Sequence, residues 1–168
     1  MRILAVVTLL VLGITPALSA EEPSGCDKFK WPIDNERAAL TAPDRTKVTS
    51  GSEQAALPSS AITLGLVAPA DAKLPTPPER APKDGTFAGF LSFTAAPKAG
   101  LYTISLSAGA WVDVVQDGHF LKPTAFSGAT DCDGIRKTMK YELSARPFVL
   151  QLSGAKDNSV SIAILPGE

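Results

Sequence analysis

The chain has one histidine, two cysteines and two tryptophans among 168 residues, and no long apolar run beyond its first twenty positions. Each scarcity removes a class of function. A lone histidine, His119, excludes an iron centre built from two histidines and a carboxylate. Two cysteines without a CxxC spacing do not make a zinc site. No serine stands in a GxSxG turn, so the nucleophile-elbow signature of many hydrolases is missing. With 16 basic and 17 acidic residues of mixed sign along the chain, there is no electrostatic footprint for nucleic acid or for an anionic membrane surface. No period of about 20 to 50 residues marks a repeat. These absences predict a protein that is not an enzyme, uses no cofactor and no metal, and has neither a nucleic-acid partner nor a stable place in a membrane.

What is present begins with MRILAVVTLLVLGITPALSAEE, a basic start, an apolar run from Ile3 to about Gly13 and small residues around Ala17, Ser19 and Ala20. That order predicts a signal peptide over residues 1–20 and export to the periplasm. The apolar run is too short for a membrane anchor, which needs roughly 20 residues. The remaining part, 21–168, is long enough for one domain with its own core. Its cysteines, Cys26 and Cys132, are predicted to form a disulfide in an oxidising compartment. In the chain-entropy model a closed loop on the order of 100 residues is worth nearly 5 kcal/mol.

Pro32 placed in a first helical turn, followed by Ile33, Arg37 and Leu40 and stopped by Pro43, predicts a short N-terminal helix with Trp31 and Leu40 packed on the domain. The following TSGSEQAALPSS is polar and small and predicts a loop. Ala61 to Ala68 is the first strand. After it, Pro69, Pro75, Pro77, Pro78 and Pro82 remove backbone donors and predict an extended, polyproline-like loop over 69–85. Period-two alternation follows. Phe87, Gly89, Leu91 and Phe93 share a face. Tyr102, Ile104 and Leu106 face in and Thr103, Ser105 and Ser107 face out, with Lys98–Gly100 read as the turn of a hairpin. Further strands are read at Trp111–Gln116, from His119, at Lys137–Leu143, in RPFVLQLSG and in NSVSIAIL. The fold class predicted is all-β, a jelly-roll-like antiparallel β-sandwich of about eight strands.

Within GAWVDVVQDGHF, Asp117-Gly118 is read as a hairpin turn because glycine takes the positive φ that tight hairpins require. Trp111, Asp113 and Val115 point to one side of their strand, Val112 and Val114 to the other. An aromatic face with a neighbouring carboxylate is a usual way to hold a sugar ring, by stacking and polar bonds. Trp111, Asp113 and His119 are therefore the candidate ligand-binding residues, against the plainer reading of a hairpin alone. TDCDGIRK is read as a polar turn at the disulfide, with calcium at Asp131 and Asp133 as the alternative. Arg136 and Lys137, with His119, are a candidate anion-binding rim.

In AGLYTISLSAGAWVDVVQDG, SGATDCDGIRK and FVLQLSGAKDNSVSIAIL, together with the CDKFKWPIDNERAAL opening, the sequence resembles small exported proteins of Gram-negative bacteria without an assigned function. Sequences of that kind sometimes carry a homogentisate dioxygenase label, but that enzyme is a much larger cupin with a histidine-rich iron site, and no residue carries over. GLYTISLSAGAWVDVVQDG also resembles a strand pair of jelly-roll accessory domains, such as pre-peptidase C-terminal and carbohydrate-binding modules. The resemblance implies a binding or accessory module for a saccharide or other small polar ligand. The alternative expectation is an envelope protein-interaction module using the proline-rich loop or a strand edge; an enzyme of unknown reaction is the weakest.

Overall fold

The computed structural model describes residues 21–94 and 98–167; the expected signal peptide lies outside the described residues. Among the described residues eleven strands form two sheets. In chain order they are β1 (Thr46–Thr49), β2 (Ser52–Gln54), β3 (Ile62–Gly65), β4 (Phe87–Phe93), β5 (Gly100–Leu106), β6 (Trp111–Gln116), β7 (His119–Leu121), β8 (Ala125–Gly128), β9 (Lys137–Leu143), β10 (Phe148–Ala155) and β11 (Ser159–Pro166). The six-stranded sheet has the order β1-β3-β11-β5-β9-β8 and the five-stranded sheet β2-β4-β10-β6-β7.

The alternation read from the sequence sets the core. Ile62, Leu64, Tyr102, Ile104, Leu106, Met139, Tyr141, Leu143, Val160, Ile162 and Ile164 of one sheet meet Leu91, Phe93, Val112, Val114, Phe148, Leu150 and Leu152 of the other in one buried cluster. Phe93 and Phe148, paired across β4 and β10, stack with ring centroids 4.6 Å apart. Side chains alternate across a strand, so the same residues that fill this layer leave polar positions on the outer faces.

The sequence reading needs four corrections. There are eleven strands rather than about eight. β1, β2 and β8 escape notice because they are three or four residues long and sit at sheet edges, where one-sided alternation is weak. β2 lies in the stretch read as a loop and β1 ends where that stretch begins, and they pair in parallel with β4 and β3 respectively, so the sheets are not wholly antiparallel. The expected β4–β5 hairpin is absent: β4 belongs to the five-stranded sheet and β5 to the six-stranded one. Turn residues and alternation look the same whether the next strand pairs with its predecessor or crosses the core. Finally, Pro32 precedes the helix α1 (Asp34–Thr41), whose N-cap is Ile33.

The β6–β7 hairpin is as expected. Asp117 and Gly118 have φ of 53° and 76°, the pair of positive values that a two-residue turn matching strand twist requires. The predicted disulfide is also present, Cys26 to Cys132.

Both outer faces are covered. Over the six-stranded sheet lies the N-terminal segment, where Ile33, Leu40, Ala61, Cys132, Ile135 and Ala163 form a second buried cluster with Trp31, Phe29 and Cys26 against it. This is why Thr103, Ser105 and Thr138 point outward yet are buried, with Ser105 Oγ donating to Thr138 Oγ1 at 2.9 Å. Over the five-stranded sheet lies the proline-rich segment 69–85.

Candidate functional site

In LPTPPER, Leu74 to Arg80, the residues Pro75, Pro77 and Pro78 have no backbone N–H. Between Pro75 and Glu79 only Thr76 and Glu79 can donate, and both donors are captured. Thr76 N–H donates to Gln151 Oε1 at 3.0 Å, and Gln151 Nε2 returns a 3.0 Å bond to the Thr76 carbonyl. Glu79 N–H donates to Asp113 Oδ2 at 3.2 Å. Gln151 on β10 and Asp113 on β6 are directly paired across the strands, so the two anchors stand side by side on the outer face. The segment is a strap pinned to the sheet by buried polar side chains, with Glu79 also ion-paired to Lys122 just after β7.

Asp113 is buried, and its second oxygen accepts a 2.7 Å bond from Trp111 Nε1. Burial pushes its carboxyl above the usual carboxylate range, an effect opposed by the bonds from Trp111 and the Glu79 backbone. Both oxygens thus have partners within the protein. Trp111 keeps 37% of its surface exposed. Its indole is fixed at one edge by Asp113 and faced by Arg80, whose guanidinium carbon is 5.7 Å from the ring centroid. Opposite Trp111 on β10 is Ser153, buried with no hydrogen-bond partner for its hydroxyl among the described residues. A bulge follows there, at Gly154 with φ 68°.

Of the three residues singled out from the sequence, Trp111 and Asp113 meet and His119 does not join them. His119 pairs with Gln116 at the far end of β6, five strand positions from Trp111 or about 17 Å at 3.3–3.4 Å per residue. It is exposed at the hairpin. Asp131 lies elsewhere, accepting a 2.6 Å bond from Ser24 Oγ and so holding the N-terminal segment beside the disulfide. Among the described residues no three of His, Cys, Asp and Glu converge as metal ligands would, and no helix is long and apolar enough to cross a membrane.

The neighbourhood of Trp111 contains groups that sequence reasoning did not assemble. Lys137, at the start of β9, reaches across to donate to the carbonyl of Ala110, the residue before Trp111, at 2.7 Å. Its ammonium also lies 5.4 Å from the ring centroid of Phe126 on β8, and Phe126 is 48% exposed. Burial lowers the Lys137 pKa to about 8, helped by the positive charges of Arg136 and Arg80 and opposed by Glu22. Only Lys137 and Arg136 of this set were noticed, as a rim with His119; Arg80 and Phe126 are brought in by the strap and by an edge strand, neither of which has a sequence signal for this place.

Comparison of the chain with protein-family models, with curated proteins and with solved structures gives no significant match.

Proposed function

We propose that the protein is an exported, non-enzymatic binding or accessory module of the periplasm that holds a saccharide or other small polar ligand at Trp111. The observation that carries this reading is a half-exposed indole held in one orientation by a buried carboxylate on the outer face of a two-sheet scaffold. Pre-set orientation matters because it removes the ordering cost that a free side chain incurs on binding. In this reading Trp111 is the contact residue and Asp113 the residue that positions it. His119, at the other end of β6, stands outside this site.

The scaffold is read as a jelly roll. Numbered one to eight along the chain, the eight strands foreseen from the sequence run 1-8-3-6 in one sheet and 2-7-4-5 in the other, with β1, β2 and β8 added at the edges. Successive strands that cross repeatedly between sheets support that architecture, one shared by lectin domains and by capsid proteins alike; fold alone does not choose a ligand.

The test is fluorescence of Trp31→Phe protein, in which Trp111 is the sole tryptophan, titrated with acrylamide and a panel of neutral and acidic oligosaccharides. A saturable emission change that disappears in isothermal titration of Trp111→Ala is the expected result. An indole inaccessible to acrylamide, or unresponsive to the whole panel, removes the reading. A contact with an envelope protein through a strand edge is a second reading, favoured by the exposure of Phe126 on the edge strand β8. It predicts that Phe126→Ser releases such a partner while Trp111→Ala retains it.

A further inference from the structure

Four charged groups gather around the Trp111 end of β6, and their pairing is uneven. Arg136 has a carboxylate partner, Glu22. Lys137 and Arg80 have none among the described residues: Lys137 makes one hydrogen bond, to a neutral carbonyl, and Arg80 faces the Trp111 ring. An ammonium has three donors and a guanidinium five, so both retain donors for a further partner. The two cations also lie against the two exposed aromatic rings, Arg80 on Trp111 and Lys137 on Phe126.

An unpaired ammonium this far out of water is costly unless something offsets it. The ring faces offset part of it by cation–π attraction, and an anion between the cations would offset more. A guanidinium and an ammonium beside an exposed aromatic plane are complementary to a ligand with a flat, apolar sugar face and a carboxylate on its rim.

We infer that the Arg80–Lys137 pair, flanked by Trp111 and Phe126, is the subsite for the anionic group of an acidic saccharide, a uronide whose ring stacks on Trp111. The inference rests on the proposed binding role of Trp111 and narrows its ligand class. Arg80 supplies a planar, bidentate contact to the carboxylate; Lys137 supplies a point charge from the opposite sheet. The groups that set the protonation of Lys137 are Arg136 beside it on the chain, Arg80 from the strap and Glu22 from the N-terminal segment; Phe126 and the Ala110 carbonyl, the other neighbours, do not titrate. A carboxylate placed there favours the charged lysine, so binding takes up protons where free Lys137 is partly neutral. Affinity therefore falls as pH rises beyond about 8.

The experiment is calorimetric titration of the mature protein with trigalacturonate and, separately, with its fully methyl-esterified form, which keeps the rings and removes the charge. The expected result is at least tenfold tighter binding of the acid, an advantage lost in Arg80→Gln and in Lys137→Gln and reduced between pH 7 and pH 9.5. Because Lys137 bridges the sheets and its variant can lose structure, Arg80→Gln, on the exposed strap, decides the matter alone. Equal affinity for acid and ester overturns the inference and leaves the Trp111 reading standing. Failure of both probes to bind, with Trp111 unresponsive to the wider panel, removes both. Binding of inorganic phosphate at the same cations with no response to either saccharide also overturns it, since the anion would then be recognised without a sugar.

Discussion

The two outer faces of the sandwich are covered by opposite chemistry. On the six-stranded sheet the cover is apolar and covalent, with Ile33, Leu40, Ile135 and Ala163 buried together beside the Cys26–Cys132 disulfide. On the five-stranded sheet the cover is a proline-rich strap without a buried apolar cluster of its own, held by Gln151 and Asp113. An apolar lid is insensitive to the geometry of individual bonds, because burial is non-directional. A polar strap depends on a few oriented partners, and each partner fixes something else nearby. Asp113, in holding Glu79, also holds the indole of Trp111. The covalent lid therefore serves stability, and the polar strap shapes the surface on which the proposed ligand lies.

The largest effect that separates the two covers is expected from the disulfide. Cys26→Ser with Cys132→Ser, or reduction, removes a cross-link spanning 106 positions and should cost about 2–5 kcal/mol of stability, read as a lower midpoint in chemical denaturation. The response of Trp111 to acrylamide in the folded protein should not change. Coincident loss of Trp111 orientation would mean that the two covers are one unit.

Next is Asp113→Ala, which leaves Trp111 Nε1 and the Glu79 N–H without their acceptor. Stability should fall by about 1.5–3 kcal/mol, the range for lost hydrogen bonds to a charged group, and limited proteolysis should begin within 74–84. Gln151→Ala should cost about 1–2 kcal/mol, for two neutral bonds. If both variants leave cleavage unchanged, the strap is held by something other than these side chains.

The last effect is in the pH dependence. The Lys137 pKa is lowered from its usual 10.5 to about 8 in the folded protein. The unfolded chain then binds more protons between those values, so stability contributed by this group rises with pH across the window of about 8 to 10.5 and is flat below it. Lys137→Met should remove that alkaline rise. A rise that persists in the variant would assign it to another group.

The legible part of this protein was the inner layer. Alternation in LYTISLS, KTMKYEL and FVLQLSG placed Ile104, Tyr141 and Leu150 in the core because period two is a local property of the chain. The Asp117-Gly118 turn and the disulfide were legible for the same reason: each rests on chemistry within a few residues or on a pair with no alternative partner. Which strand pairs with which was not, since β4 and β5 follow one another along the chain yet lie in different sheets. The site was half legible. Trp111 and Asp113 are two positions apart and share a face by the pleat, whereas Arg80, Phe126 and Lys137 come from a loop and the two strands of another sheet edge. The prolines of the strap read as missing donors, but what Thr76 and Glu79 did with theirs depended on Gln151 and Asp113, set opposite each other only by the β6–β10 register.

The central claim, that the strap is pinned through the two backbone donors left between Pro75 and Glu79, is tested most directly by hydrogen exchange at single-amide resolution. Thr76 and Glu79 should be protected well beyond the exposed strap amides of Ala81, Lys83 and Asp84, and Asp113→Ala should release Glu79 while leaving Thr76 slow. Exchange at Thr76 and Glu79 as fast as at those exposed amides would contradict the account.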